Sequence, residues 1–182
     1  MREFKVPSRE EVSESNQAIF DNLNQKLGFV PNLYAYYAKS ETALGDYLQF
    51  TGRKSTLKAK EIEVVNLITS QINNCNYCLA AHTAIAKMNG FTDSQIVELR
   101  NGTAPFDSKI DALVRLVGEA VENRGKISEE RLNAFFEAGY TEANLVDVNI
   151  AIGQKTISNF IHNMTGFAID FPLAPELQLE TI

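Results

Sequence analysis

Cys75 and Cys78 are the only two cysteines of the chain. They stand in the run Cys75-Asn76-Tyr77-Cys78-Leu79-Ala80-Ala81-His82. This C-x-x-C-x-x-x-H run also takes one of the two histidines. Leu79, Ala80, Ala81, Ala84, Ala86, Lys87 and Met88 are good helix formers, and Gly90 supplies a stop. The composition therefore predicts a helix from about Asn74 to Asn89. At about 100° per residue, positions 75, 78 and 82 fall within roughly 60° of one another. Two sulfurs and an imidazole then share one helix face. Such a cluster suits thiol–disulfide or peroxide chemistry, or a part in binding a metal.

Cys78 and His82 are i and i+4, so they can approach on one helical turn. An imidazole there can accept the thiol proton or stabilise the thiolate, and either effect raises reactivity. Cys75 falls at or just before the first turn, where free N–H groups and the helix dipole also favour a thiolate. The two sulfurs are near enough to close on each other. One attacks an oxidant and becomes a sulfenic acid, and the other resolves it to a disulfide. The preceding helix brings Glu61 and Glu63 in Lys60-Glu61-Ile62-Glu63. If that helix folds back, one of these carboxylates can orient His82 or relay a proton. Glu63, twelve residues before Cys75, is the candidate. Glu61 reads more simply as a first-turn carboxylate favoured by the dipole.

The elements that must position these groups are helical throughout. Ser8 and the acidic Glu10 and Glu11 open a first helix whose apolar Ala18, Ile19, Leu23 and Leu27 lead to Gly28. Pro31 restarts the chain into Asn32–Tyr37, and Ser40 precedes a third stretch through Leu44, Tyr47, Leu48 and Phe50. Lys58 to Asn73 is a longer helix, with Ile62, Val65, Leu67, Ile68 and Ile72 as its apolar set. Thr92 with Gln95 forms a capping box before a short helix. Asp107 to Asn123 carries an i, i+3, i+4, i+7 stripe. Ser128 starts another short helix, and Thr141 caps a last long one over 142–165. Gly90-Phe91-Thr92-Asp93 and Gly139-Tyr140-Thr141-Glu142 each follow one helix and open another. This echo points to two related halves, one of which holds the cysteines. No segment reads as a strand with a hairpin turn, so the fold class is all-α. The tail 167–182 contains Pro172 and Pro175 and reads as extended.

With 182 residues the chain is long enough to bury a core without disulfides or metal. A net charge of −6 argues against nucleic acid and anionic membrane surfaces, which call for a basic patch. The uncharged run Val64–Leu79 carries four asparagines and is too polar to span a membrane. The first residues have no apolar signal core, so a cytoplasmic protein is expected. In a reducing compartment a C-x-x-C pair is a catalytic or metal-binding device more often than a structural staple.

Residues Leu57 to His82, LKAKEIEVVNLITSQINNCNYCLAAH, resemble the carboxymuconolactone decarboxylase and alkylhydroperoxidase D-like (AhpD-like) superfamily. The shared features are a glutamate, a twelve-residue step to C-x-x-C, an aromatic before the second cysteine, and Ala-Ala-His. The ending SNFIHNMTGFAIDFPLAPEL is similar to the longer, peroxidase-related members. The resemblance implies one AhpD-like domain over residues 1–182, built of two similar helical halves. The redox half covers about 40–102 and the second half about 106–166. It implies a homo-oligomer, trimer or hexamer, with peroxidase (peroxiredoxin) activity, a peroxide as substrate and a thiol or protein dithiol as reductant. By position, Cys78 is the attacking cysteine and Cys75 the resolving and more exposed partner. Glu63 and His82 form the proton relay, with no cofactor and no metal. The best-studied pattern has a histidine directly before the second cysteine, where this chain has Tyr77. Tyrosine is a poor base near neutral pH, so the relay here is shorter or runs through water.

Other readings use the same residues. A metal-binding module would take Cys75, Cys78 and His82, with Glu63 or His162 as fourth ligand. Zinc accepts such a set, although its structural sites usually join two distant ligand pairs. A helical scaffold could use the thiols only to sense oxidants. Carboxymuconolactone decarboxylation is the weaker alternative, because the decarboxylases that named the superfamily lack the cysteine pair. A c-type haem would need a histidine directly after Cys78, where Leu79 stands. His162 and the aromatics Tyr34, Tyr36, Tyr37, Phe135 and Phe136 read as structural, and Tyr77 as either packing or pocket lining.

Overall fold

A computed structural model describes residues 3–177; the end of the expected extended tail, 178–182, lies outside the described residues. The described residues hold nine α-helices, one short 3-10 turn and no strand, so the fold is all-α. They divide into two compact units. One comprises the chain up to Lys54 together with Ile161–Asp170, and the other comprises Ser55–Phe160 with the chain from Phe171 onward.

The first unit contains α1 (Glu14–Leu27), α2 (Asn32–Tyr37) and α3 (Ala43–Thr51). Its small core is Phe20, Ala35, Ala38 and Leu44. The first helix begins later than its acidic opening suggests. Arg9–Glu11 is a separate 3-10 turn, and Val12 is extended. Ser13 then caps α1, accepting from the amide of Asn16. A second capping serine five residues on offers the backbone a fresh start, and the chain takes it. The buried Asn16 amide donates to the carbonyls of Ala38, Ser40 and Glu41, fixing the loop before α3. Asp170 accepts from the Asn32 amide at 2.7 Å and so serves the α2 N-terminus, whose Pro31 has no side chain to do it.

The second unit carries the cysteines. Its helices are α4 (Ala59–Ile72), α5 (Asn76–Met88), α6 (Asp93–Arg100), α7 (Ser108–Glu122), α8 (Glu129–Glu137) and α9 (Glu142–Thr165), the last running on into the first unit beyond Phe160. The centre is α4, which packs against α5, α6 and α7. Glu63 through Ser70 are all buried, which is how a helix surrounded by others must behave. Val64, Val65, Leu67 and Ile68 meet Leu113, Val114, Leu116 and Val117 of α7 in one core with Phe135 and Val148.

The repeated Gly-aromatic-Thr signal corresponds to one local geometry used twice. Gly90 and Gly139 both take the left-handed conformation, with φ of 87° and 88°. Phe91 and Tyr140 then donate back to Ala86 and Phe135, closing α5 and α8 in the same way. Both aromatics enter the core, and Thr92 and Thr141 each accept from an amide three residues on.

Candidate active site

The site begins at the joint between α4 and α5. Asn74 takes a left-handed conformation, φ 52°, which asparagine tolerates better than most residues. This bends the chain so that the Cys75 amide donates to the Ser70 carbonyl at 3.0 Å. The helix therefore starts at Asn76, two residues later than the composition suggests. Cys75 is its N-cap, and its sulfur accepts from the Cys78 amide at 3.4 Å. Cys78 lies in the first turn and His82 one turn further.

Helix α4 folds back along α5, and this brings in Glu63. Its Oε2 meets His82 Nδ1 at 2.8 Å, and its Oε1 accepts from Asn66 Nδ2 at 3.0 Å. Glu61 caps α4 instead, accepting from the Lys58 amide at 2.7 Å. The four residues Glu63, Cys75, Cys78 and His82 are thus assembled by two consecutive helices.

Helix α9 adds two residues that sequence reasoning missed. Lys155 Nζ lies against His82 Nε2, so both ring nitrogens of His82 are engaged. Asn159, one turn on, donates to Ser70 Oγ at 3.2 Å and accepts from Asn73 Nδ2 at 3.0 Å. Its side chain also hydrogen-bonds both sulfurs. Val148, Ala151, Lys155, Asn159 and His162 are all buried at helical spacing. A lysine and an asparagine at the buried positions of an apolar stripe were the signal available in the sequence.

The sulfurs are not equivalent. The Cys75 thiol donates to Cys78, and this is the largest influence on Cys78. Burial opposes it, while the charge of Lys155, the neighbouring His82 ring and the Asn159 bond support it, and Cys78 is brought down from 9.0 to about 6. Cys75 is pushed well above the ordinary thiol range by the same hydrogen bond, by burial and by the charge on Cys78. Burial alone would raise Glu63. His82, hydrogen-bonded to it, then Lys155 and Asn66, outweigh burial and hold the carboxyl below its usual value.

Cys75 is 0% and Cys78 1% exposed, so the expectation that Cys75 is the more exposed sulfur is not met. Its place as N-cap turns its side chain inward over the first turn. His82, at 12% side-chain exposure, is the least covered of these groups. Cavities of about 400 and 550 Å³ open elsewhere, one along α4 and α7 and one between α1 and α3. Tyr77 is buried with its ring edge-on to Phe171 at 5.7 Å. His162 donates from Nε2 to the Phe167 carbonyl at 3.1 Å and packs edge-on against that ring. Among the described residues no three His, Cys, Asp or Glu side chains are placed to hold a metal ion. None of the helices among them is long and apolar enough to cross a membrane.

The comparisons agree on one family of folds. Residues 38–119 match the carboxymuconolactone decarboxylase family. An uncharacterized peroxidase-related protein from Silicibacter sp. TM1040 superposes with a TM-score of 0.80 at 21% identity, covering 96% of this chain and 92% of that one. A second, from Ralstonia eutropha JMP134 and described as an alkylhydroperoxidase AhpD core, gives 0.82 at 20% identity over 92% and 91%. The debrominase Bmp8 gives 0.71 at 15% over 86% and 87%. At these identities the likeness is one of fold. No curated protein matches the sequence.

Proposed function

Because residues 38–119 match the carboxymuconolactone decarboxylase family and the fold is that of AhpD-like structures, we propose that the chain is a thiol-dependent peroxidase working through Cys78 and Cys75. The observation that carries this reading is the polarised sulfur pair, in which a buried Cys75 thiol donates to Cys78 while Glu63 and His82 stand one turn away. The Cys78 thiolate attacks the outer oxygen of a peroxide, ROOH. The O–O bond breaks, Cys78 becomes a sulfenic acid, and the departing alkoxide takes a proton to leave as ROH. Cys75 then attacks the sulfenic sulfur, and its proton leaves with the hydroxyl as water. The resulting disulfide is reduced by two thiols, from a small molecule or a protein dithiol, which are themselves oxidised to a disulfide. The engagement of both His82 nitrogens favours this reading over a metal module, since neither is free to ligate.

The test is mass spectrometry before and after one equivalent of peroxide, paired with peroxide consumption in the presence of a dithiol. A 75–78 disulfide and repeated turnover are expected. Oxidation that stops after one equivalent, with excess dithiol present, assigns the thiols to sensing. The pH dependence follows from the direction of the Cys78 shift. A lowered thiol stays ionised down to its own pKa, so alkylation of Cys78 should hold constant above about 6 and fall as pH drops below it. An ordinary thiol would lose reactivity below about 8.5.

We also propose that the chain pairs with a second copy of itself through the outward face of α9. Val146, Ile150, Gly153, Ile157 and Phe160 follow one another at alternating steps of four and three, and Val146, Ile157 and Phe160 are about half exposed. The only charged residues from Val146 to Phe160, Asp147 and Lys155, are buried, so this face has no charge to keep it in water. A side chain at Gly153 would meet nothing within 4 Å, so the protomer itself gives no reason for a glycine that costs the helix ~1 kcal/mol. Close approach of another helix supplies one. An antiparallel copy centred on Gly153 places Val146 opposite Phe160 and Ile150 near Ile157. This is the self-complementarity a two-fold contact requires, and it belongs to a hexamer and not to a lone trimer. Light scattering should show Ile157→Glu with Phe160→Glu as a folded particle of half the wild-type mass. A wild-type chain that is already monomeric at tens of micromolar overturns the pairing.

A further inference from the structure

Resting on the redox reading above, we infer that Lys155 is a positioning residue of this site: its buried ammonium, set against His82 Nε2, fixes that ring in one neutral tautomer and brings positive charge to the cysteine pair.

The argument starts from burial. Lys155 is 7% exposed, on the inner face of α9. Lysine is almost never covered to that degree unless something compensates its charge, because removing an ammonium from water costs several kcal/mol. Among the described residues no carboxylate lies within 4 Å of its nitrogen. Its hydrogen-bond partner is an imidazole nitrogen, His82 Nε2. An ammonium has three donors and no acceptor, so Nε2 must be the unprotonated nitrogen. The ring proton then sits on Nδ1, where it is donated to Glu63 Oε2 at 2.8 Å. The order Glu63 carboxylate, His82 Nδ1–H, His82 Nε2, Lys155 ammonium leaves no choice of tautomer.

The titratable groups around this lysine come from two helices. Glu63 faces the cluster from α4, while Cys75, Cys78 and His82 face it from α5. Tyr77, in the same turn of α5, is packed against Phe171. Asn66, Ser70 and Asn159 do not titrate. Glu63 lies on the far side of the imidazole from Lys155. The charge of Lys155 acts on Cys78 more strongly than the His82 ring does. A lysine from a third helix thus supplies positive charge where Tyr77, one residue before Cys78, cannot.

The experiment measures the pH dependence of Cys78 alkylation by iodoacetamide, with the site located by mass spectrometry, in the wild-type chain and in Lys155→Met, Lys155→Gln and Lys155→Arg. The half-point near 6 in the wild type should move up by ~1 pH unit or more in the Met and Gln variants, as expected for loss of a nearby opposite charge. The rate at pH 6 should fall about fivefold or more with it. The Arg variant, which keeps the charge, should regain most of the shift. Nitrogen-15 spectra of the two histidines should show an unprotonated Nε2 for His82 in the wild type and a changed Nε2 signal in Lys155→Met. If the Met variant fails to fold, Gln carries the same test, since it keeps a donor for Nε2 without the charge. A half-point in either neutral variant that stays within about 0.3 pH unit of the wild type overturns the inference. The measurement is independent of turnover. A Lys155-dependent half-point in a chain that consumes no peroxide would uphold this role and reject the peroxidase reading.

Discussion

Cys78→Ser should reduce peroxide consumption to below about one-thousandth of the wild-type rate, the scale on which loss of a nucleophile is felt. Serine keeps the shape of the side chain, but its hydroxyl cannot ionise near neutral pH, so the Cys75 thiol, Lys155 and His82 have no anion to stabilise. The fold should survive, because the hydroxyl replaces a sulfur that already sits among donors from Cys75 and Asn159. Far-UV circular dichroism checks that point. Cys75→Ser separates the two sulfurs. It leaves Cys78, the proposed attacking cysteine, in place, so one equivalent of peroxide should still add one oxygen atom to Cys78, but no disulfide should form and dithiol-driven turnover should stop. If Cys75→Ser instead prevents the first oxidation while Cys78→Ser permits it, the two roles are reversed.

Glu63→Leu should be the most destabilising single change at the site. Glu63 accepts from His82 and Asn66 inside the protein, and its charge stands against that of Lys155 across the imidazole. Leucine fills the space but leaves two buried donors unmet and a buried ammonium without its anion. Breaking a buried ionic set in this way costs about 3–5 kcal/mol. For a chain of this length, that lowers the melting temperature by roughly 10 °C. Removing the cation as well, in Glu63→Leu with Lys155→Met, should recover much of the loss, because an apolar pair is often as stable as the ions it replaces. Thermal unfolding followed by circular dichroism measures both. A single variant that melts within about 2 °C of the wild type would mean that the network bears no such charge.

The reach of sequence reasoning here follows the distance over which each signal acts. Cys75, Cys78 and His82 share one short helix, and their spacing alone aligns them. Glu63 needed one further assumption, that consecutive helices fold back on each other, and neighbouring helices commonly do. Caps at Thr92, Ser128 and Thr141 were legible because a cap is a contract between residues three apart. Lys155 stands 73 positions from the imidazole it contacts. In Ile152-Gly153-Gln154-Lys155-Thr156-Ile157 it looks like any surface lysine, and only the phase of the α9 stripe, read against Val148 and Ala151, marks it as inward. The inner placement of Cys75 was hidden for another reason. Exposure depends on the bend at Asn74 and on what α9 lays over it, and neither leaves a local pattern. The grouping of Ile161–Asp170 with the first 54 residues is likewise a contact between distant parts of the chain.

The capping role of Cys75 ties the oxidation state of the pair to the firmness of a helix end. While the sulfur is a thiol it holds the Cys78 amide and completes the first turn of α5. Drawing it into a covalent link about 2.05 Å long with its neighbour reorients its lone pairs away from that amide. The turn then loses an acceptor it cannot replace from within, and water must come in to serve the orphaned N–H. On the proposed cycle, oxidation in this geometry would loosen its own surroundings and open the buried bond to a reductant.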